Sequence, residues 1–413
     1  MERYSEYKDS GVQWLGEIPG HWRCVLIHRL FNIKAGGDVK PDFFSDKKDD
    51  SHPYPVYTNT KSANDIYAYT SLATCPGNSI TVTGRGEVGH AIYREKPYDA
   101  IIRLLSLSPK NTNIVCKFYA YFIDTVIPFT SDSAAIGQLS AIQIKAKHVT
   151  LPSLSEQHSI VSYLDDKCGK IDKMFEGKQK QIELLAEMKQ RIIADAVTRG
   201  INPDVKMKAT NIPWLSEIPE HWEEQRMATL FTGDIEVNKD FEYKRAFKFN
   251  YGQLVPKNEI GEPEDYREVY VKYSKIKQGD ILVNGLNLNY DFISQRVACA
   301  PSDGIITSAY VVCRPRKDVN YEYYTYLFKG MDSMKLFHGM GTGIRLTLSF
   351  KEMKKQILPI PPHSEQHDIV SYIKERSAKI DILTSKLQQE IESIKEYKQR
   401  LISDVVTGQI KVS

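Results

Sequence analysis

The sequence predicts an α+β fold with an internal pseudo-twofold repeat, in which two mixed α/β domains are separated by two long antiparallel helices that form a coiled coil. Three observations lead to this prediction: sequence boxes that recur about 200 residues apart, two long helical periodicities, and short β-branched segments between them. The 413 residues have a hydrophobic fraction of 41% and a mean hydropathy of −0.40, which is enough for sizeable cores. The sequence shows no export signal and no membrane-spanning run, so we expect a cytoplasmic location and no membrane partner.

Three boxes occur twice in the same order. The first is a tryptophan box, the second begins with Ser-Glu-Gln-His, and the third begins with Lys-Gln-Arg; their positions are 14–22 and 214–222, 155–163 and 364–372, and 189–198 and 398–407. The last two boxes recur at an offset of 209 residues, and 23 of the 47 positions aligned from 155 and 364 are identical. The chain is therefore a duplicated unit of about 200 residues, far longer than a solenoid repeat.

The second and third boxes lie in two predicted helices of about 45 residues each. Apolar side chains recur every three or four positions from Ser155, which we expect to be the N-cap, and Gly200 and Pro203 end the pattern. Each helix would be roughly 65 Å long, and one small domain cannot cover so long an apolar stripe. We expect the two helices to pack on each other as an antiparallel coiled coil. The alternative is that each helix binds a different partner.

These features divide the chain into four parts. Residues 1–154 form a first domain with its tryptophan box, 155–200 the central helix, 201–363 a second domain with its box, and 364–413 the C-terminal helix. Within the domains we predict short strands and helices; the strands are at 79–83, 100–105, 280–284 and 308–313, and the helices at 116–125 and 321–329.

The sequence lacks the motifs of the common enzyme classes. It contains no P-loop, and the glycine-rich segments 84–86 and 339–343 are too short for a dinucleotide fingerprint, so we interpret them as turns. The six cysteines are scattered without metal-ligand spacing and are expected to be reduced structural thiols. His158 and His367 recur in the second box without a recurring catalytic partner, which favours structural or interface roles. We predict no catalytic residue, no metal and no cofactor in this chain.

The order and duplication of the boxes resemble the specificity (S) subunit of Type I restriction-modification enzymes, over essentially the whole chain. The resemblance implies a non-catalytic DNA-recognition subunit of a multisubunit adenine-N6 methyltransferase and endonuclease. Its two target-recognition domains would each read one half of an asymmetric bipartite target in double-stranded DNA. The expected partners are two modification (M) subunits, which carry S-adenosylmethionine, and restriction (R) subunits, which use ATP and Mg.

Candidate base-contacting residues are polar side chains on loops expected to be exposed, because such side chains can reach groove edges. They are Thr58, Asn59, Lys61, Thr83, Arg85 and Gln138 in the first domain, and Asn284, Asn287, Asn289, Arg296, Thr342 and Arg345 in the second. We favour Arg85 and Arg345, since bidentate contact of arginine with guanine is the commonest specific contact. The alternative is that these are ordinary turn residues. The domains have only a weak basic excess, with 15 basic and 11 acidic residues in 23–154 and 20 and 18 in 223–363.

All four tryptophans lie in the repeated first box: Trp14, Trp22, Trp214 and Trp222. They could dock M subunits, or they could attach each variable domain to the ends of the helices, which we slightly favour. Two rival functions stay open from sequence alone: the same scaffold in a modification-only system, and an enzyme of unrecognised type.

Overall fold

The structure is a computed structural model that describes residues 2–129, 138–343 and 346–412. The chain divides into two compact units, the first made of Met1–Lys178 with Gln388–Ser413 and the second of Gln179–Leu387. Both divisions fall inside long helices, so each unit holds one α/β domain and part of each helix. We call these two domains, within residues 1–154 and 201–363, the variable domains because their sequences differ from each other between the repeated boxes. The α+β class with two domains is confirmed, while the four-part division of the sequence stays a prediction.

The first variable domain is rich in short strands. Its elements are β1 (Tyr7–Asp9), β2 (Glu17–Pro19), β3 (Arg23–Leu26), β4 (Phe31–Ala35), β5 (Phe44–Ser45), β6 (Tyr54–Tyr57), β7 (Ala68–Thr70), β8 (Ser79–Val82), β9 (Ala91–Arg94), β10 (Asp99–Ala100), β11 (Leu105–Pro109), α1 (Cys116–Thr125), α2 (Ala141–Lys145) and β12 (His148–Leu151), followed by the long helix α3 (Leu154–Arg199).

The second variable domain follows the same order of elements at its beginning and end. Its elements are β13 (Met207–Ala209), β14 (Glu217–Pro219), β15 (Glu223–Arg226), α4 (Met227–Leu230), β16 (Phe231–Thr232), β17 (Phe247–Asn250), β18 (Gln253–Pro256), α5 (Arg267–Tyr270), β19 (Ser274–Ile276), β20 (Ile281–Val283), β21 (Val297–Cys299), β22 (Gly304–Ile306), β23 (Val311–Pro315), α6 (Tyr321–Ser333), α7 (Phe350–Met353) and β24 (Ile357–Ile360), followed by the long helix α8 (His363–Val406).

The two variable domains share a core that is not evident from their sequences. The antiparallel sheet β4-β11-β8-β9 of the first corresponds to β16-β23-β20-β21 of the second, and the pairs β3–β12 and β15–β24 also correspond. In both cores a phenylalanine of the edge strand meets a helix tyrosine edge-on, with ring centroids 5.3 Å apart for Phe31 and Tyr119 and 5.4 Å apart for Phe231 and Tyr324. The duplication therefore includes the variable domains and not only the repeated boxes.

The domains differ most in the chain segment between the first and second strands of the shared sheet, counted along the sequence. Between β4 and β8 the first domain has the strands of a separate four-stranded sheet, β10-β6-β7-β5, whose fourth member β10 follows β9. Between β16 and β20 the second domain has the hairpin β17–β18, helix α5 and strand β19, which pairs with β22. A common core thus carries two unrelated additions.

Several local predictions need correction. Segment 100–105 is not one strand, because Ile102 and Arg103 adopt left-handed φ values of 53° and 64° and separate β10 from β11. Ser155 is not the N-cap of the central helix, since α3 begins at Leu154 and Ser153 forms a capping box with Glu156. The strand predicted at 308–313 begins at Val311, and the helix predicted at 321–329 continues to Ser333.

The long helices are confirmed, with 46 residues in α3 and 44 in α8. In the first unit Asp172 of α3 accepts a hydrogen bond from Lys398 of α8 at 2.5 Å. In the second unit Lys189 of α3 donates to Asp381 of α8 at 2.7 Å. An offset of 209 residues relates Asp172 to Asp381 and Lys189 to Lys398. The two ion pairs are therefore equivalent, and the same helix-to-helix contact is formed in both units. Within the described ranges no helix is long and apolar enough to cross a membrane.

Candidate DNA-recognition surfaces

The second tryptophan of each box is buried against the start of a long helix. Trp22 has no exposed surface, and its Nε1 donates to the Glu156 carboxylate of α3 at 2.9 Å. Trp222 is equally buried and donates to Glu365 of α8 at 3.1 Å. His21 and His221 place their Nε2 atoms 2.8 and 2.6 Å from the same carboxylates. Each box thus holds a helix start through one repeated glutamate.

The same tryptophans also contact the end of the other long helix. A Cβ on Gly408, just after α8, would lie 3.0 Å from Trp22, and a Cβ on Gly200, just after α3, would lie 3.4 Å from Trp222. Both glycines have a positive φ, which ends the helix without a side chain in the way. In each unit, the box therefore joins the start of one long helix to the end of the other.

This geometry separates the two roles considered for the tryptophans. Trp22 and Trp222 are fully enclosed, which fits attachment of the domains to the helices. Trp14 is 37% exposed and Trp214 is partly buried. Of the four tryptophans, only the first of each box keeps exposed surface.

Burial and hydrogen bonding act in opposite directions on Glu156. Desolvation raises the pKa of its carboxyl group, but hydrogen bonds from Trp22, Ser153 and His21 outweigh it and lower the pKa to about 2. The carboxylate is therefore ionised throughout the physiological range, as an acceptor for several donors at once requires.

In the first variable domain, Asn59 fixes the loop that follows β8. Its Oδ1 accepts the backbone N–H groups of Gly84 (2.7 Å) and Arg85 (3.2 Å), and its Nδ2 donates to the carbonyl of Ile102. Thr83 is 2% exposed and donates to the carbonyl of Glu87. These two candidates therefore shape the loop from inside, while the Arg85 side chain projects into solvent.

The structure brings several of the other first-domain candidates to the same place. Gln138 forms an isolated antiparallel bridge with Arg85, and the exposed Lys61 forms an ion pair with Glu87 of the loop. Thr58 is half-buried in the segment that contains Asn59. We define the loop 83–90 together with 58–61 and Gln138 as the first loop cluster.

His90 belongs to the first loop cluster and was missed by the sequence analysis. Its Nδ1 lies 2.5 Å from the Asp124 carboxylate of α1, and its Nε2 lies 2.8 Å from the carbonyl of Lys61. The hydrogen bond with Asp124 raises the pKa of His90. No sequence motif signals this pair, because the two residues are 34 positions apart and meet only in the fold.

In the second variable domain, Arg296 is not a base-contacting residue. Its side chain has no exposed surface, and its guanidinium donates to the carbonyls of Leu286 (2.8 Å) and Asp291 (2.6 Å) as well as to those of Asn284 and Asn287. It is an internal clamp that shapes the loop 284–296. The sequence pattern placed this arginine on a loop but could not show that its side chain points inwards.

The other second-domain candidates surround the same loop. Asn287 is exposed with a left-handed φ of 54°, whereas Asn284 and Asn289 are half-buried. Thr342 is exposed and forms an isolated antiparallel bridge with Thr347. Arg345 lies outside the described residues. We define the loop 284–296 together with 339–343 as the second loop cluster.

The two loop clusters occupy equivalent positions on the shared core. Leu139 donates its backbone N–H to the carbonyl of Gly84 at 2.9 Å, and Leu348 donates to Gly285 at 3.0 Å. A Cβ on either glycine would lie 2.6 Å from a carbonyl oxygen, so both positions need the close backbone approach that glycine allows. The same junction therefore supports two loops of different length and sequence.

His158 and His367 are exposed near the starts of α3 and α8. All six cysteines are free thiols, and burial raises the pKa of Cys116 to about 12. Among the described residues there is no group of three or more side chains that could hold a metal ion.

Each unit is an α/β domain that has the shared core and its own loops and adjoins parts of two long helices, and this architecture defines a class of duplicated two-domain scaffold. The family model for the Type I restriction modification DNA specificity domain matches residues 19–184 and again 247–393. Because these two matches cover most of the sequence, the chain belongs to that family. The S-subunit resemblance found in the sequence is confirmed.

Sequence relatives support this membership. The EcoBI specificity subunit of a type I restriction enzyme of Escherichia coli is 20% identical over 98% of this chain and 90% of its own length. A predicted type I specificity subunit of Mycoplasma pneumoniae is 32% identical over 146 residues, and a second is 31% identical over 153 residues. Those two alignments span 39% and 44% of the Mycoplasma proteins.

A solved structure also has the same fold. It was described in work on complex assembly and conformational transition of the type I R-M system, and it covers 95% of this chain and 99% of its own with a TM-score of 0.67. Its sequence identity is 12%, so the likeness concerns the fold alone.

Proposed function

We propose that this chain is the DNA-specificity subunit of a type I restriction-modification system and reads an asymmetric bipartite target. Each variable domain would contact one half of the target through its loop cluster. The observation that carries the proposal is the pair of different loops supported by one duplicated core. Since direct readout depends on which side chains reach the groove edges, different loops on the same core predict different half-sites.

The side chains available for base contact differ between the clusters. The first presents Arg85, Lys61 and Gln138, which can donate to guanine or to phosphates. The second presents Asn287 and Thr342, with Asn287 suited to adenine. Arg345 remains a proposed contact in the second domain.

The boxes and the long helices occur twice in this chain, which favours binding of two copies of one partner. We propose that M subunits dock on repeated exposed features, of which Trp14, Trp214, His158 and His367 are the candidates. In this proposal the paired helices form an antiparallel coiled coil that holds the two domains apart, in a cytoplasmic complex that also recruits R subunits. S-adenosylmethionine, ATP and Mg would be bound by those partners, and this chain would be non-catalytic.

Selection of random double-stranded DNA by the full chain, assembled with the M subunit encoded beside it, tests the proposal. We expect a split consensus with two dissimilar halves. Arg85→Ala should relax one half and leave the other unchanged, and Asn287→Ala should do the converse. A continuous consensus, or variants that each relax both halves, would contradict the assignment of one half-site to each domain.

A further inference from the structure

The loop 284–296 carries apolar side chains that are exposed to an unusual degree. Ile293 is 94% exposed, Tyr290 is 83% exposed and Phe292 is 53% exposed. Three large apolar side chains within four residues leave a considerable apolar area in water, at a cost of roughly 25 cal/mol per Å². Such a cost calls for a partner that covers them.

Hydrogen bonds on the buried side of the loop 284–296 fix its conformation. The buried Arg296 guanidinium binds four of its carbonyls, and the Arg296 backbone N–H donates to Asp332 of α6 at 2.8 Å. At the top, the Asp291 carboxylate accepts the N–H groups of Ile293 (3.1 Å) and Ser294 (2.9 Å). Phe292 stacks on His338 with ring centroids 4.6 Å apart. Ile293 and Tyr290 are therefore presented by a preorganised backbone, which lowers the entropy lost on binding.

The loop has little negative charge that would repel DNA phosphates. The loop contains one acidic residue, Asp291, and its carboxylate already accepts two backbone N–H groups. Its other exposed polar groups, on Asn287, Ser294 and Gln295, are uncharged. The exposed apolar tips thus have neutral neighbours that can donate to bases and phosphates.

The first variable domain provides an internal comparison. Its equivalent loop 83–90 is five residues shorter and exposes the charged residues Arg85 and Glu87 but no large apolar side chain. The apolar feature is therefore a property of the second domain and not of the shared core.

We propose that the loop 284–296 is an apolar wedge that enters the second half-site of the DNA and unstacks one base step, with Ile293 at its tip and Tyr290 beside it. Proteins that insert apolar side chains between base pairs kink the duplex and gain contacts with the deformed grooves. This proposal rests on the proposed function, since it names how the second domain engages its half-site. It predicts one unstacked base step in the second half-site in addition to any adenine that the M subunits flip out for methylation.

The test uses the full chain assembled with its M subunit and the DNA sequence obtained by selection. Duplexes carry 2-aminopurine at single positions through either half, because its fluorescence rises when stacking is lost. The variants are Ile293→Ser and Tyr290→Ser, with Ile260→Ser as matched control, since Ile260 is 96% exposed on another loop of the same domain. Substitution of such exposed side chains should leave the fold unchanged.

Methyltransferases flip their target base out of the stack, so fluorescence is compared only at positions that are not next to a methylated adenine. At those positions we expect wild type and Ile260→Ser to raise fluorescence at one step of the second half-site and at none in the first. Ile293→Ser should abolish that rise and weaken binding about tenfold, as loss of one buried apolar side chain predicts. Sequence-specific binding by wild type without a rise at any such position would overturn the wedge and leave the proposed function intact. Loss of M-subunit assembly in Ile293→Ser would overturn it in favour of a protein contact, and absence of any selected sequence would overturn both proposals.

Discussion

Replacing Glu156 by alanine should release the first variable domain from the helix that it adjoins. The carboxylate accepts hydrogen bonds from Trp22 (2.9 Å) and from the hydroxyl and backbone N–H of Ser153 (2.7 and 3.0 Å), and it lies 2.8 Å from His21. Loss of a partner for the buried indole N–H costs about 1–3 kcal/mol, and loss of the capping box about 1 kcal/mol more. We therefore expect Glu156→Ala to destabilise the first unit by about 2–4 kcal/mol.

Urea denaturation followed by tryptophan fluorescence measures this effect, because all four tryptophans lie in the two boxes. In the variant, half of the fluorescence change should move to lower urea while the other half stays in place. The matched substitution Glu365→Ala should act on the other half and cost slightly less, since Pro362 stands where the first copy has the capping Ser153. A change below about 0.5 kcal/mol for Glu156→Ala would refute the role assigned to the box, as that is within the range of ordinary surface substitutions.

The pH dependence of the same contact has a definite sign. Because the pKa of Glu156 in the folded protein is about 2, below its ordinary value of 4.5, the ionised carboxylate contributes stability that is complete above pH 4.5 and is lost as pH falls towards 2. With solvent screening taken into account, this contribution is about 1–2 kcal/mol. Glu156→Gln keeps an acceptor but cannot titrate, so its stability should approach that of wild type through this range. A constant difference between the two proteins from pH 6 to pH 3 would contradict the assignment.

Three further substitutions test the loop clusters. Arg296→Met removes the donor to four buried carbonyls and should destabilise the second unit by about 2–4 kcal/mol in urea unfolding, whereas an unchanged midpoint would rule out the clamp. Gly84→Ala brings a Cβ within 2.6 Å of the Arg103 carbonyl and should cost about 1–3 kcal/mol, while Gly37→Ala, with open space at the Cβ, serves as the neutral control. Because the pKa of His90 is raised, its contact with Asp124 stabilises the fold fully below pH 6.5 and is lost as pH rises through the folded value. Hydrogen exchange in the first loop cluster should therefore be faster at pH 8.5 than at pH 6 after correction for intrinsic rates, and His90→Gln should remove that difference.

Periodicity and repetition made the long helices predictable, since an apolar stripe that repeats every three or four residues over 45 positions is typical of a long amphipathic helix. The attachment of the boxes was partly readable as well. Glu156 and Glu365 recur together with Trp22 and Trp222, and a joint recurrence of donor and acceptor could have predicted their hydrogen bonds. Burial of the tryptophans themselves is decided by tertiary packing, which no spacing reveals.

The shared core of the variable domains escaped the sequence analysis for a physical reason. A sheet core needs apolar side chains of about the right volume rather than particular residues, so Leu107 and Cys313 can occupy equivalent places opposite Ile80 and Ile281. Sequence identity between the two variable domains is therefore lost while their common fold is retained.

The errors in the strands and in the site have equally specific causes. Segment 100–105 has strong strand propensity, but two non-glycine residues with positive φ interrupt it, a conformation that propensity does not anticipate. Arg296 was selected because arginine on a loop is typically exposed, yet here the loop folds around it. Both cases depend on long-range contacts.

In the proposed function, one chain reads two different half-sites and directs adenine methylation to both. Long-read methylation mapping of plasmid DNA from cells that express this chain with its neighbouring M gene tests this function. We predict a split motif with N6-methyladenine in both halves, dissimilar half-sites, and no such motif when this chain is omitted. The same methylation pattern with and without this chain would contradict the proposed function.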